Sequence, residues 1–80
     1  MERNEIMEKL RDIISEAVDN EDLVINDSTV ATDVDGWDSL AQVLIVGELQ
    51  NELGVKFTSS EINGYANVGE FVNAIQEKIK

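Results

Sequence analysis

The 80-residue sequence contains no cysteine, no histidine and no proline. Without cysteine, the chain has no disulfide framework and supplies no thiol chemistry of its own. Without histidine, it lacks the side chain that serves most often as a general base and metal ligand. Because proline, internal repeats and low-complexity tracts are all missing, there is no sign of a linker. We therefore expect residues 1–80 to form one small domain.

Basic residues are scarce as well. Six Lys and Arg stand against seventeen Asp and Glu, which gives a formal net charge of −11. Between Arg11 and Lys56 there are eleven acids and no base. This composition argues against nucleic acid and anionic membranes as ligands, since both need a positive surface, and favours basic partner proteins. The charged N-terminal segment and the lack of a long apolar run predict a cytoplasmic protein.

Apolar residues recur at three- and four-residue spacing, and no run alternates convincingly with period two. Asp38 and Asn67 are predicted helix N-caps, Thr58 and Glu61 have the spacing of a capping box, and Gly54 is a predicted helix end. The predicted fold class is an all-α four-helix bundle with three longer helices and a short third one. The helices are expected at about residues 3–18, 39–53, 59–62 and from 68 onward.

A long loop of about twenty residues separates the first two helices. Such loops are uncommon in small domains and usually have a role. Four single apolar residues are spread along it, and we expect them to anchor it on the core: Leu23, Ile25, Val30 and Val34.

The second helix has two apolar faces. At about 100° per residue, one face carries Ile45, Val46, Leu49 and Leu53, which we assign to the core. A separate face carries Leu40, Val43 and Leu44, here called the apolar strip, with Gly47 beside it. A bundle this small cannot bury both faces of one helix in the same core, so the apolar strip is a candidate partner surface. The alternative is that the short helix or the long loop covers it.

Ser39 lies at the start of this helix, and several roles are open to it. It could simply begin the helix, or it could be phosphorylated. Catalysis by the chain itself is disfavoured because no histidine is present and no lysine motif accompanies the serine. The acids of the preceding loop do not match the EF-hand pattern, so no dedicated metal site is predicted, only adventitious divalent binding.

The sequence resembles an acyl carrier protein over essentially its full length. The resemblance rests on length, acidity, helix order, the mid-chain tripeptide Asp38-Ser39-Leu40 preceded by Gly36, and the segment 68–75 that opens the last helix. It implies that a phosphopantetheinyl transferase attaches 4'-phosphopantetheine covalently to Ser39. The imported thiol would then carry acyl groups as thioesters between acyl-loading and acyl-processing enzymes.

The resemblance also implies roles for the residues around Ser39. Asp38 would take part in recognition by the transferase, and the chain would be a monomer and not an enzyme. The residues expected to dock partners are Leu40, Val43, Leu44, Gly47 and Glu48.

Some positions depart from the pattern of general fatty acid carriers. Acids usual in the second helix are replaced by Ala41, Leu44, Gln50 and Asn51, and Trp37 stands where a small residue is common. These changes favour a carrier of a specialised pathway, such as polyketide, mixed peptide, lipid or surface-glycan modification chemistry, over general fatty acid synthesis. Two alternatives stay open: an aminoacyl or peptidyl carrier, and a non-carrier acidic module that binds partners through the apolar strip.

Overall fold

The computed structural model describes residues 2–62 and 65–79 and contains, within them, helices and no strand. Helix α1 (Arg3–Val18) packs against α2 (Ser39–Leu53) and α4 (Val68–Lys78), and the short α3 (Ser59–Ile62) contacts α2. The predicted all-α fold with one short third helix is therefore confirmed. In chain order the elements are α1, a 3₁₀ turn (Ala31–Asp33), α2, α3 and α4.

One apolar core joins the three longer helices. Each contributes a stripe of fully buried side chains at helical spacing, and the burial of these stripes is the main force that holds the helices together. Phe71, at 1% exposure, is the largest of them. The side chains with almost no exposure are Ile6, Leu10, Ile14, Ile45, Leu49, Val68, Phe71, Val72 and Ile75.

The helix ends form where the sequence predicts them. The Asp38 carboxylate accepts a hydrogen bond of 2.9 Å from the Ala41 N–H at the start of α2. Gly54 ends α2 with φ of 70° and donates its N–H to a carbonyl of the last turn. Thr58 and Glu61 form the predicted capping box, with bonds of 2.9 and 3.3 Å. The Asn67 side chain accepts from Glu70 N–H at 2.9 Å.

The long loop is anchored as predicted, by apolar side chains. Leu23 and Val34 are each 7% exposed, and Ile25 packs against the core. Val30 is half-buried at the start of the 3₁₀ turn, which the sequence analysis did not predict.

The loop also completes the N-terminus of α4. The Val68 and Gly69 N–H groups donate to the carbonyls of Thr29 and Asp27, at 2.8 and 2.9 Å. A Cβ atom at position 69 would lie 2.9 Å from the Asp27 carbonyl oxygen, so only glycine allows this close approach. Two of the free N–H groups of the first turn are thus satisfied by the loop.

In the part of the chain that the structure describes, no helix combines the length and the apolar character needed to cross a membrane.

Candidate functional site

Ser39 is the first residue of α2 and is exposed. Capping of the helix is done by the neighbouring Asp38, so the serine is not needed for it. Among residues 2–62 and 65–79, the Ser39 hydroxyl has no hydrogen-bond partner. The hydroxyl is therefore accessible for modification, and it lies at the positive end of the helix dipole, where an attached anion is stabilised.

A buried glutamine holds together the segments on either side of Ser39. Gln42 is 9% exposed and lies on the core side of α2. Its Oε1 accepts from Trp37 Nε1 at 2.8 Å, and its Nε2 donates to the Ile62 carbonyl at 2.7 Å. Both ends of the amide are thus satisfied, as burial requires. The bridge links the loop before Ser39, the first turns of α2 and the end of α3.

A cavity of about 270 Å³ opens beside Ser39. Trp37, Gln42 and Ile62 form part of its wall, together with Tyr65 and Phe71 from the other side. The Tyr65 and Phe71 rings stack with a centroid distance of 4.9 Å. The cavity therefore has aromatic walls and lies within immediate reach of a group attached to Ser39.

Tyr65 contributes a buried hydroxyl for which no hydrogen-bond partner exists among the described residues. Its burial raises the pKa of the phenol, and the Glu61 carboxylate raises it further. The hydroxyl consequently stays protonated at neutral pH. An unpaired buried hydroxyl costs about 1–3 kcal/mol, so the packing of Tyr65 is one of the less favourable features of this region.

The short helix α3 has no fully buried residue, and contacts from α2 and α4 hold it in place. Lys78 of α4 reaches Glu61 at 2.9 Å and lies over the Phe57 ring, 5.0 Å from its centroid. The hydrogen bond from the Thr58 N–H and that from Lys78 lower the pKa of Glu61. These contacts add to the packing of the half-buried Ile62 against the core and to the Gln42–Ile62 hydrogen bond, which also hold α3 beside the cavity.

The apolar strip is exposed. Leu40, Val43 and Leu44 are 70%, 56% and 58% exposed, so neither α3 nor the long loop covers them. Gly47 and Glu48 are also exposed, and no atom lies within 4 Å of the place a Gly47 Cβ would occupy. The structure therefore brings all of these predicted docking residues onto the surface that begins at Ser39.

Two features of the site were not predicted from the sequence. One is the Gln42 bridge, for which a signal existed: a polar residue on the core-facing stripe beside Ala41 and Ile45 must find buried partners. The other is the cavity with Tyr65, which depends on how distant segments meet. The described residues bring no set of three Asp or Glu side chains close enough together to hold a metal ion.

Comparison with known proteins identifies the class. Residues 8–75 match the family model described as a phosphopantetheine attachment site. An acyl carrier protein of Thermotoga maritima is 31% identical over 77 residues, covering 96% of this chain and 95% of the relative. An acyl carrier protein of Borreliella burgdorferi is 34% identical over 79 residues, covering 98% of each.

The fold agrees with a solved structure as well. The solution NMR structure of the holo acyl carrier protein from Geobacter metallireducens superimposes with a TM-score of 0.83 at 27% identity, covering 92% of this chain and 85% of that one. The match defines a carrier domain that bears a phosphopantetheine attachment site.

The chain belongs, within that class, to the acyl carrier protein family. Its function is to carry acyl groups, and its cofactor is covalently attached 4'-phosphopantetheine. Proteins of this family are carriers and not catalysts, and they interact with enzymes. Of the alternatives raised by the sequence, the non-carrier interaction module is therefore rejected.

Proposed function

We propose that Ser39 is the residue that receives 4'-phosphopantetheine. The observation that carries this proposal is that Asp38 caps α2 and leaves Ser39 with an exposed hydroxyl that has no hydrogen-bond partner among the described residues. The site fits the group: the free N–H groups of the first turn favour its phosphate, and the adjoining cavity leaves room beside the serine. The attached group supplies the thiol that this cysteine-free chain lacks.

The proposal is tested by incubating the chain with a phosphopantetheinyl transferase, coenzyme A and Mg²⁺ and measuring the intact mass. The wild-type chain should gain the mass of one phosphopantetheine, and Ser39→Ala should gain none. Ser59→Ala is the matched control, because Ser59 is also an exposed first residue of a helix. Unchanged loading of Ser39→Ala, or loss of loading in Ser59→Ala, contradicts the assignment.

The partner enzymes are proposed to dock on α2 through the apolar strip, with Gly47 and Glu48 at its far end. Three large apolar side chains that are more than half exposed form a contiguous surface on one helix face, which is unusual without a partner. The partners comprise the transferase and the enzymes that load and process the acyl group. Because the exposed Leu44 carries no charge, we expect this docking to depend on apolar contact more than on ion pairs.

The docking proposal is tested with Leu44→Ser, which shortens an exposed side chain and leaves Ser39 and its cap intact. The rate of Ser39 loading should fall about tenfold if the leucine is buried on docking. The control is Val24→Ser, which removes an 83% exposed branched apolar side chain from the long loop. It should leave the loading rate unchanged, because the transferase is proposed to dock on α2. Equal rates for wild type and Leu44→Ser at limiting transferase would count against the docking role.

The chain is further proposed to perform no catalysis itself, because it has neither a histidine nor a cysteine to act as base or nucleophile. Its monomeric state, its cytoplasmic location and its use by a specialised pathway stay predictions. The replacement of acids by Ala41, Leu44, Gln50 and Asn51 supports the last of these. The mass of the group bound to the chain purified from its source would identify the pathway.

A further inference from the structure

A second groove lies between α1 and the long loop. Its volume is about 520 Å³, and none of its wall residues belongs to the cavity beside Ser39 or to the apolar strip. We call it the α1 groove. The residues that line it are Met7, Glu8, Arg11, Asp12, Leu23, Val24 and Ile25.

Arg11 fixes the shape of the α1 groove. Its Nε donates to the Leu23 carbonyl at 2.8 Å, one terminal nitrogen donates to the Glu21 carbonyl, and the other pairs with Asp12 at 3.0 Å. All three guanidinium nitrogens are therefore engaged, and the loop wall is tied to the helix wall. A partner that enters the groove does not have to order the loop first, which removes one of the usual penalties of binding.

The interior of the α1 groove is apolar. Leu23 is buried, and Met7 and Ile25 are half-buried against the core. Val24 lies between Leu23 and Ile25, which pack against the core, and its own side chain remains on the surface. It is 83% exposed, more than any other large apolar residue that the structure describes. The groove thus offers an apolar contact surface that is already in place.

The rim of the α1 groove is negatively charged. Glu5, Glu8, Asp12 and Glu16 follow one another at spacings that place them on one face of α1, and all are exposed. Among the described residues, no ion pair is formed by Glu8 or Glu16. The only cation in the wall, Arg11, is already engaged with the loop carbonyls and Asp12. An occupant must therefore bring positive charge.

We propose that the α1 groove docks a cationic amphipathic segment of a partner protein, with an apolar side chain packed against Val24 and Lys or Arg side chains facing Glu8 and its acidic neighbours. A second copy of this chain fits poorly, since each copy has a net charge of −11. Anionic lipids and free fatty acids fit poorly for the same electrostatic reason. The inference goes beyond the proposed function because it involves neither Ser39 nor α2, so the two can fail separately.

The test uses the full ¹⁵N-labelled chain and a synthetic helical peptide of Leu and Lys, with leucines at i, i+3, i+4 and i+7. Amide chemical shifts are followed during the titration. We expect shifts at Met7, Val24 and Ile25 that saturate with peptide and weaken as salt is added. Val24→Ser should weaken binding at these residues about tenfold, and Glu8→Gln should reduce its salt dependence.

Leu44→Ser is the matched control and should leave binding at the α1 groove unchanged. Because Val24 and Glu8 are exposed, their variants should retain the wild-type spectrum without peptide. Shifts confined to the apolar strip, equal binding by Val24→Ser, or equal binding of a peptide with Glu in place of Lys each overturn the proposal. Concentration-dependent shifts at the groove without peptide would show self-association instead and overturn it too.

Discussion

Gln42 is predicted to stabilise the segments around Ser39 by an amount that can be estimated from its two hydrogen bonds. Gln42→Ala removes the bonds to Trp37 Nε1 and to the Ile62 carbonyl, of 2.8 and 2.7 Å. Each bond contributes a net 0.5–1.5 kcal/mol by the usual estimate, so the variant should lose about 1–3 kcal/mol. A domain of this size has roughly 4–12 kcal/mol in total, so the loss is readily measured.

Urea unfolding followed by fluorescence is the appropriate assay, because Trp37 is the only tryptophan and one of the two partners. Circular dichroism of the helices provides a second probe of the same transition. Gln42→Glu should lose at least as much as Gln42→Ala, since it places a buried carboxylate oxygen against the Ile62 carbonyl oxygen. Asn51→Ala, at an exposed position of the same helix, should change stability by no more than about 0.5 kcal/mol.

Equal stability of Gln42→Ala and Asn51→Ala would show that the two Gln42 hydrogen bonds contribute nothing. The bond to Trp37 would likewise be shown to contribute nothing if a double-mutant cycle between Trp37→Phe and Gln42→Ala, followed by circular dichroism, showed no coupling. Residues that share a buried hydrogen bond are expected to couple by about 0.5 kcal/mol or more.

Further predictions concern a helix cap, two glycines and the titration of Glu61. Asp38→Ala should lower the free energy of unfolding by about 0.5–2 kcal/mol through loss of the α2 cap, measured by urea unfolding; an unchanged midpoint would contradict the cap. Gly69→Ala should destabilise the fold, because its Cβ would lie 2.9 Å from the Asp27 carbonyl oxygen. Gly47→Ala has open space around it and should stabilise the fold by about 0.5–1 kcal/mol. Changes of the same sign in the free energy of unfolding would contradict this contrast. The pKa of Glu61 is lowered in the folded state, which means that its ionised form stabilises the fold. This stabilisation is fully present at pH values above the ordinary pKa of 4.5, and it is lost as the pH falls through the lower pKa of the folded state. The advantage of wild type over Glu61→Gln should therefore shrink in acid, and a pH-independent difference would contradict it.

Much of the fold follows from local signals in the sequence. The caps at Asp38 and Asn67 and the glycine at position 54 act within one helical turn, so their side chains or backbone preferences define the helix ends without help from distant residues. The exposure of the apolar strip was likewise predictable, because one helix cannot turn two separated faces toward a single small core.

The remaining features depend on contacts between distant segments. Gln42 meets Trp37 five residues earlier and Ile62 twenty residues later, and no local pattern specifies the second partner. The α1 groove exists because Arg11 clamps loop carbonyls ten and twelve residues further on. The 3₁₀ turn had a local signal, since the Asp33 carboxylate accepts from the Val30 N–H at 3.1 Å, but a three-residue element gives no periodicity to detect.

Attachment of phosphopantetheine to Ser39 can be tested on one peptide of this chain. Cleavage before aspartate and after glutamate releases residues 38–48, in which Ser39 is the only hydroxyl-bearing residue. Mass spectrometry of the loaded chain should find the added mass on this peptide alone. An unmodified 38–48 peptide from a loaded chain, or the added mass on a peptide that holds a different serine, would contradict the account.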